Sequence, residues 1–84
     1  MKQIFQTNEY RVLEILCTNS VCVKETRFCA MHQYEIAEEL NLSRASINKI
    51  FSDLQTEGYI SMITRGRWKV SDDAIHLIEV TRQL

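Results

Sequence analysis

QYEIAEELNLSRASINKIFS, residues 33 to 52, decides how this chain is read. Ile36, Ala37 and Leu40 recur at helical spacing, and so do Ile47, Ile50, Phe51 and Leu54 a few residues later. Asn41, Leu42 and Ser43 lie between the two patterns. Asn is the non-glycine residue best suited to a left-handed turn position, and Ser is a strong helix N-cap. Leu42 can plug the angle between the helices, and Ala37 is small where the two backbones must approach. The pattern specifies a helix-turn-helix over residues 33–57, whose second helix has the dimensions to enter a DNA major groove.

Working outward, Gly58 suits the left-handed position just past the second helix. Two strands follow, Tyr59 to Ile63 and Arg67 to Ser71, joined around Arg65-Gly66. Ile60 and Met62 share one face, as do Trp68 and Val70, so the hairpin at 59–71 can lay an apolar side on the helices. Arg65, Arg67 and Lys69 alternate with that set and point away. Ser71 then caps a last helix over 72–83, with Asp72 and Asp73 complementing its dipole. Upstream, Val12, Leu13 and Leu16 mark a core-facing helix from Asn8 to Cys17, ended by Thr18-Asn19-Ser20. Residues 21–32 allow two short strands around Lys24-Glu25-Thr26, one of which, near Phe28 to Met31, can join the sheet of the hairpin.

Gln33, Ala37, the turn Asn41-Leu42-Ser43, Ile47 and Ile50, followed by LQTEGYISMITRGRWKVSDDA, resemble the winged helix-turn-helix domain of bacterial transcriptional regulators. The resemblance spans residues 8–84, with Asn41 standing where the turn glycine usually does. It is a superfamily likeness, to MarR-like or related proteins, although MarR-like chains carry a longer wing and flanking dimerisation helices for which there is little room here. The expected fold is mainly α with a small β-hairpin wing, in a single domain over residues 1–84.

Composition is consistent with this. The 84 residues are 45% hydrophobic and 25% charged, as in an ordinary globular protein with one small core. There is no apolar run of membrane-spanning length and no signal-peptide core in MKQIFQTNEY, so a cytoplasmic protein with reduced cysteines is expected. The formal net charge of −1 conceals an asymmetry. Arg44, Lys49, Arg65, Arg67 and Lys69 against Asp53 and Glu57 make residues 44–69 net +3, with net −2 on either side. Positive charge thus falls on the second helix and the wing, where phosphates would be met.

The face of the second helix opposite its apolar stripe presents Ala45, Asn48, Lys49 and Ser52, with Arg44 and Ser46 at its start. Asn48 suits adenine, Arg44 suits guanine or a phosphate, and Ala45 permits close approach to a thymine methyl. Ser43 and the free N–H groups of the first turn suit a phosphate. Gln33 and the wing residues Arg65, Gly66, Arg67 and Lys69 complete the expected DNA-binding set. The alternatives for these residues are a solvated helix face and an edge strand guarded by charge. Ile4, Phe5, Leu77, Ile78 and Leu84 look surplus to a small core and are expected to form a homodimer interface. Cys17, Cys22, Cys29, His32 and His76 include a Cys29-x-x-His32 spacing, yet no Cys-x-x-Cys pair, so buried thiols are expected and no metal or other cofactor. No nucleophile–base pair, phosphate loop or paired-carboxylate arrangement points to an enzyme.

The expected function is sequence-specific binding of double-stranded DNA by a transcriptional regulator, with no separate ligand-binding domain at this length. Two alternatives stand beside it: a winged-helix protein–protein interaction module, and a plasmid or phage replication or recombination accessory protein that also binds DNA.

Overall fold

The computed structural model describes residues 7–83. The chain runs α1 (Asn8–Thr18), β1 (Ser20–Val23), β2 (Thr26–Cys29), α2 (Gln33–Leu40), α3 (Arg44–Thr56), β3 (Ile60–Thr64), β4 (Arg67–Val70) and α4 (Asp72–Arg82). The strands form one antiparallel sheet in the order β1-β2-β4-β3. The fold is a winged helix-turn-helix, as the sequence led us to expect.

Three of the four described helix starts are set by an N-cap side chain that satisfies an otherwise free backbone donor. Thr7 accepts from the Tyr10 N–H, Ser43 from Ser46 and Ser71 from Ala74. The helix ends are equally local. Asn41 takes the left-handed conformation at φ 59°, ψ 46°, and the Leu42 N–H closes back on the Ala37 carbonyl at 2.8 Å. Gly58, at φ 83°, does the same for α3, with the Tyr59 N–H on the Leu54 carbonyl at 3.0 Å. These are the hydrogen bonds of a helix closed by a left-handed residue, and they turn the chain sharply at both ends of the second helix-turn-helix element.

The core lies between the helices and one face of the sheet. Val12, Leu13 and Leu16 of α1, Ile36 and Ala37 of α2, Ile47, Ile50, Phe51 and Leu54 of α3, and Ala74 and Ile78 of α4 are all buried. Cys29, Ile60, Trp68 and Val70 close the core from the sheet, with the Trp68 ring edge-on to Phe51 at 4.7 Å between centroids. Leu42 is half-buried against this cluster, filling the angle between α2 and α3. The last helix is tied to the first by Tyr10 Oη to Thr81 Oγ1 at 2.9 Å and by Arg82, which donates to Thr18 Oγ1 at 2.7 Å and pairs with Glu14 at 3.5 Å.

Three expectations are corrected here. Residues 20–29 form a full hairpin with a two-residue turn, Lys24-Glu25, instead of a three-residue connection. Both turn residues have positive φ, 52° and 68°, which the pairing Val23↔Thr26 imposes on them. Met62, although directly across from Trp68, is 56% exposed and does not enter the core. Ile78 is 1% exposed and packs inside the monomer, so it is core and is not available to an interface. Leu77 is half-buried, and Ile4, Phe5 and Leu84 lie outside the described residues. No described helix is long and apolar enough to cross a membrane.

Candidate nucleic-acid interface

The stripe that buries α3 dictates what its other side can do. Because Ile47, Ile50, Phe51 and Leu54 face inward, residues offset by half a helical turn must face out. Ser43, Arg44, Ala45, Ser46, Asn48, Lys49 and Ser52 are accordingly exposed. Ser43 and Ser46 are joined by their hydroxyls at 3.0 Å, which fixes the start of the helix. Lys49 pairs with Asp53 one turn on, at 3.2 Å. That exposed pair is weak and salt-sensitive, so it lowers the net charge of this turn without immobilising the ammonium.

A groove of 490 Å³ runs between α3 and the wing. Arg44, Ile47, Asn48 and Gln55 form one wall, Met62, Arg65, Gly66 and Trp68 the other, and His32, Gln33 and Tyr34 from the start of α2 close one end. Of the residues expected from sequence, the groove thus brings Gln33, Arg44, Asn48, Arg65 and Gly66 together. Arg44 and Arg65 approach it from opposite sides, and neither is among the ion pairs of the described residues. Two guanidiniums, three carboxamides and the free N–H groups of the first turn of α3 offer donors to phosphate and base edges alike.

The wing divides the remaining cations. Trp68 and Val70 face the helices, so Arg67 and Lys69 project from the outer face of the sheet. The Arg67 guanidinium lies 5.8 Å from the Phe28 ring centroid, and Lys69 stands across from both Phe28 and Ser61. Lys69 therefore lies outside the groove, beside Cys22 and Arg27. The tip turns at Gly66, whose φ of 82° a side-chain-bearing residue rarely adopts. An irregularity between Met62 and Thr64 gives β3 one extra residue, a bulge that re-aims the tip.

Sequence reasoning missed four exposed residues of the groove, His32, Tyr34, Gln55 and Met62, while the buried Ile47 and Trp68 that floor it were read as core. Tyr34 is 61% exposed and stacks on His32 with ring centroids 5.3 Å apart and planes 16° from parallel. The available signal was an aromatic pair immediately before and inside the first turn of the first motif helix, where solvent-facing aromatics have no packing reason to be.

The cysteines and histidines are scattered. Cys29 is buried in the core whereas His32 is exposed in the groove, and Cys22 is exposed on the outer hairpin. Among the described residues no three His, Cys, Asp or Glu side chains converge as a metal site would require. Burial pushes the Cys17 thiol up to about 11, against the smaller opposing pull of Arg82 and Arg27, and it pushes Cys29 up as well.

Residues 10–74 match the Crp-like helix-turn-helix domain, from within α1 to the first turn of α4. The chain belongs to this family. The Crp-like domain is a DNA-binding, winged helix-turn-helix module of transcription regulation. No curated protein is a significant match to the sequence. Among solved structures, the reduced CO-sensing protein from R. rubrum superposes with a TM-score of 0.77 at 20% identity, over 93% of this chain and 39% of its own. A CRP/FNR-family regulator from Thermus thermophilus gives 0.71 at 19% identity, over 93% and 43%. A MarR/EmrR-family regulator from Acinetobacter sp. ADP1 gives 0.67 at 20% identity, over 96% and 54%. This Crp-like chain therefore spans roughly half or less of the length of the proteins it superposes on, and the likeness is one of fold.

Proposed function

We propose that this Crp-like chain binds duplex DNA sequence-specifically as a transcriptional regulator in the cytoplasm, with α3 in the major groove and the wing on the backbone. The observation that carries the proposal is the convergence of Gln33, Arg44, Asn48 and Arg65 on one groove in a chain of net negative charge. Acidic surface elsewhere discourages nonspecific binding, so affinity is concentrated where these side chains meet. Asn48 and Arg44 are the base readers, with Ala45 against a thymine methyl. Gln33, Ser43, Ser46, Lys49 and Ser52 surround them as backbone or flanking contacts. Arg65, Gly66 and Arg67 meet phosphate, and Lys69 adds to the field from the outer face of the sheet. No enzymatic step is part of this role.

The active species proposed is a homodimer. Its support is the solvent-facing apolar surface left on α4, where Val80 is 43% exposed beside half-buried Leu77; Ile4, Phe5 and Leu84 are assigned to it from their residue type alone. Ile78 no longer counts among these residues. A two-fold arrangement would set two copies of α3 about 34 Å apart. Selection of bound sequences from a random duplex pool tests both parts of the proposal. An inverted repeat is expected, with half-site centres about 10 base pairs apart or a multiple of that. Enrichment of no sequence over the starting pool would overturn it.

A further inference from the structure

His32 and Gly66 stand 34 residues apart in sequence and touch in space. A Cβ added to Gly66 would lie 2.6 Å from His32 Cε1, 3.0 Å from Nδ1 and 3.2 Å from Nε2. The imidazole is therefore pressed against the backbone of the wing turn with no room for a side chain between them. The ring is supported in turn by the stack on Tyr34. Its base is anchored: His32 is the N-cap of α2, its N–H donates to Glu35 Oε1 at 2.7 Å, and its carbonyl accepts from the Glu35 N–H at 3.0 Å. Yet both rings are exposed, so the arrangement contributes nothing to the core.

Its location explains what it is for. In the sheet β2 pairs with β4 at Phe28↔Lys69 and Cys29↔Trp68, which leaves Thr64 to Arg67 beyond the backbone pairing to β2, with the Arg67 guanidinium reaching back over the Phe28 ring and Thr64 to Gly66 past it. A two-stranded tip is marginal alone and swings on its twist. The guanidinium at Arg65 needs a fixed place relative to α3 if both are to meet one DNA duplex, because ordering it on binding costs affinity.

We propose that His32, backed by Tyr34, is a positioning residue that props the wing tip and holds Arg65 opposite Arg44 and Asn48. The proposal rests on the DNA-binding role given above. The ring acts through its shape, as a flat spacer between the start of α2 and the Gly66 backbone. An aromatic without ring nitrogens can therefore replace it, and aliphatic truncation cannot.

Two measurements test this. The first needs no DNA: backbone ¹⁵N relaxation of the free protein. His32→Ala should loosen the amides of residues 64–67 toward order parameters below about 0.6, and His32→Phe should keep them near the ~0.85 of rigid backbone. Unchanged order parameters in His32→Ala would overturn the proposal whatever the protein does with DNA. The second is a double-mutant cycle on the selected duplex. His32→Ala should weaken binding several-fold and lower the salt slope by about 0.9, the value of one phosphate contact. His32→Phe should restore both, and Arg65→Ala should cost little more once His32 is gone. Full additivity of His32→Ala and Arg65→Ala, or failure of His32→Phe to rescue, would overturn the proposal. Absence of any DNA binding by the wild-type protein would overturn the DNA-binding role, leaving the relaxation data to decide whether the prop exists.

Discussion

At the scale of the residue, three positions outside glycine adopt left-handed backbone among the described residues, and they differ in how openly the sequence declares them. Asn41 is one of the few residues that tolerates φ 59° at small cost, so its place between two helical patterns announced the turn. Lys24 and Glu25 carry the same conformation with no such chemistry, because it is imposed on them by strand pairing. Asn41→Val should cost about 1–2 kcal/mol of stability, read from urea denaturation midpoints at constant slope. Replacing Lys24 and Glu25 together with Asn-Gly, the pair that fits such a two-residue hairpin, should instead stabilise by about 1 kcal/mol or more. An unchanged midpoint in that variant would show that the hairpin is not limited by its turn. The thiols separate by burial in the same way. With Cys17 pushed up to about 11 and Cys29 raised too, alkylation at neutral pH should mark exposed Cys22 first and buried Cys29 only on unfolding, as peptide mapping over time would show. Because the folded state holds the Cys17 proton more tightly than the usual 9.0, the stability this provides is complete below about pH 9 and is lost as pH rises toward 11.

At the scale of the element, helices were legible because periodicity and caps agree. The stripe Ile47, Ile50, Phe51 and Leu54 and the caps Ser43 and Ser71 state the same boundaries twice. The wing was legible as a hairpin but not in its detail. Alternation places Met62 on the helix-facing side, and only the width of the helical layer decides that it stays exposed beside the groove. Alternation placed Arg67 and Lys69 on the outer face correctly but sent Arg65 there with them, whereas Arg65 lines the groove; a bulge between Met62 and Thr64 shifts the register at the tip. Nor does anything local in the sequence join His32 to Gly66. The wing should supply affinity more than specificity, because its cations are at a tip and on an outer face. Arg65→Ala with Arg67→Ala should weaken binding to all duplexes about equally and reduce the salt slope by about one to two units. A change in the preferred sequence at unchanged affinity would make the wing a base reader instead.

At the scale of the whole molecule, the helices and sheet close one core from two sides, and the groove lies where the two layers part. Surplus apolar residues were counted from the sequence as if each needed a partner. The structure places Ile78 in the core and half-buries Leu77, so a count by residue type overstated the free surface. Ile78→Glu should accordingly unfold the protein, costing several kcal/mol for a charge forced into apolar surroundings, whereas Val80→Glu should leave the fold intact and weaken self-association. Circular dichroism and sedimentation equilibrium distinguish the two. What was legible at this scale is the charge asymmetry, net +3 over residues 44–69, since charge sums need no contact information. What was not legible is that Gln33, Arg44, Asn48 and Arg65 line a single groove, which depends on how α2, α3 and the wing close on each other. That groove is the centre of the account, and the affinity of Arg44→Ala, Asn48→Ala and their combination for the selected duplex tests it most directly. Each should cost about 1–3 kcal/mol and relax the preference at its own base position, with the fold unchanged by circular dichroism. Wild-type affinity and wild-type sequence preference in the folded double variant would contradict it.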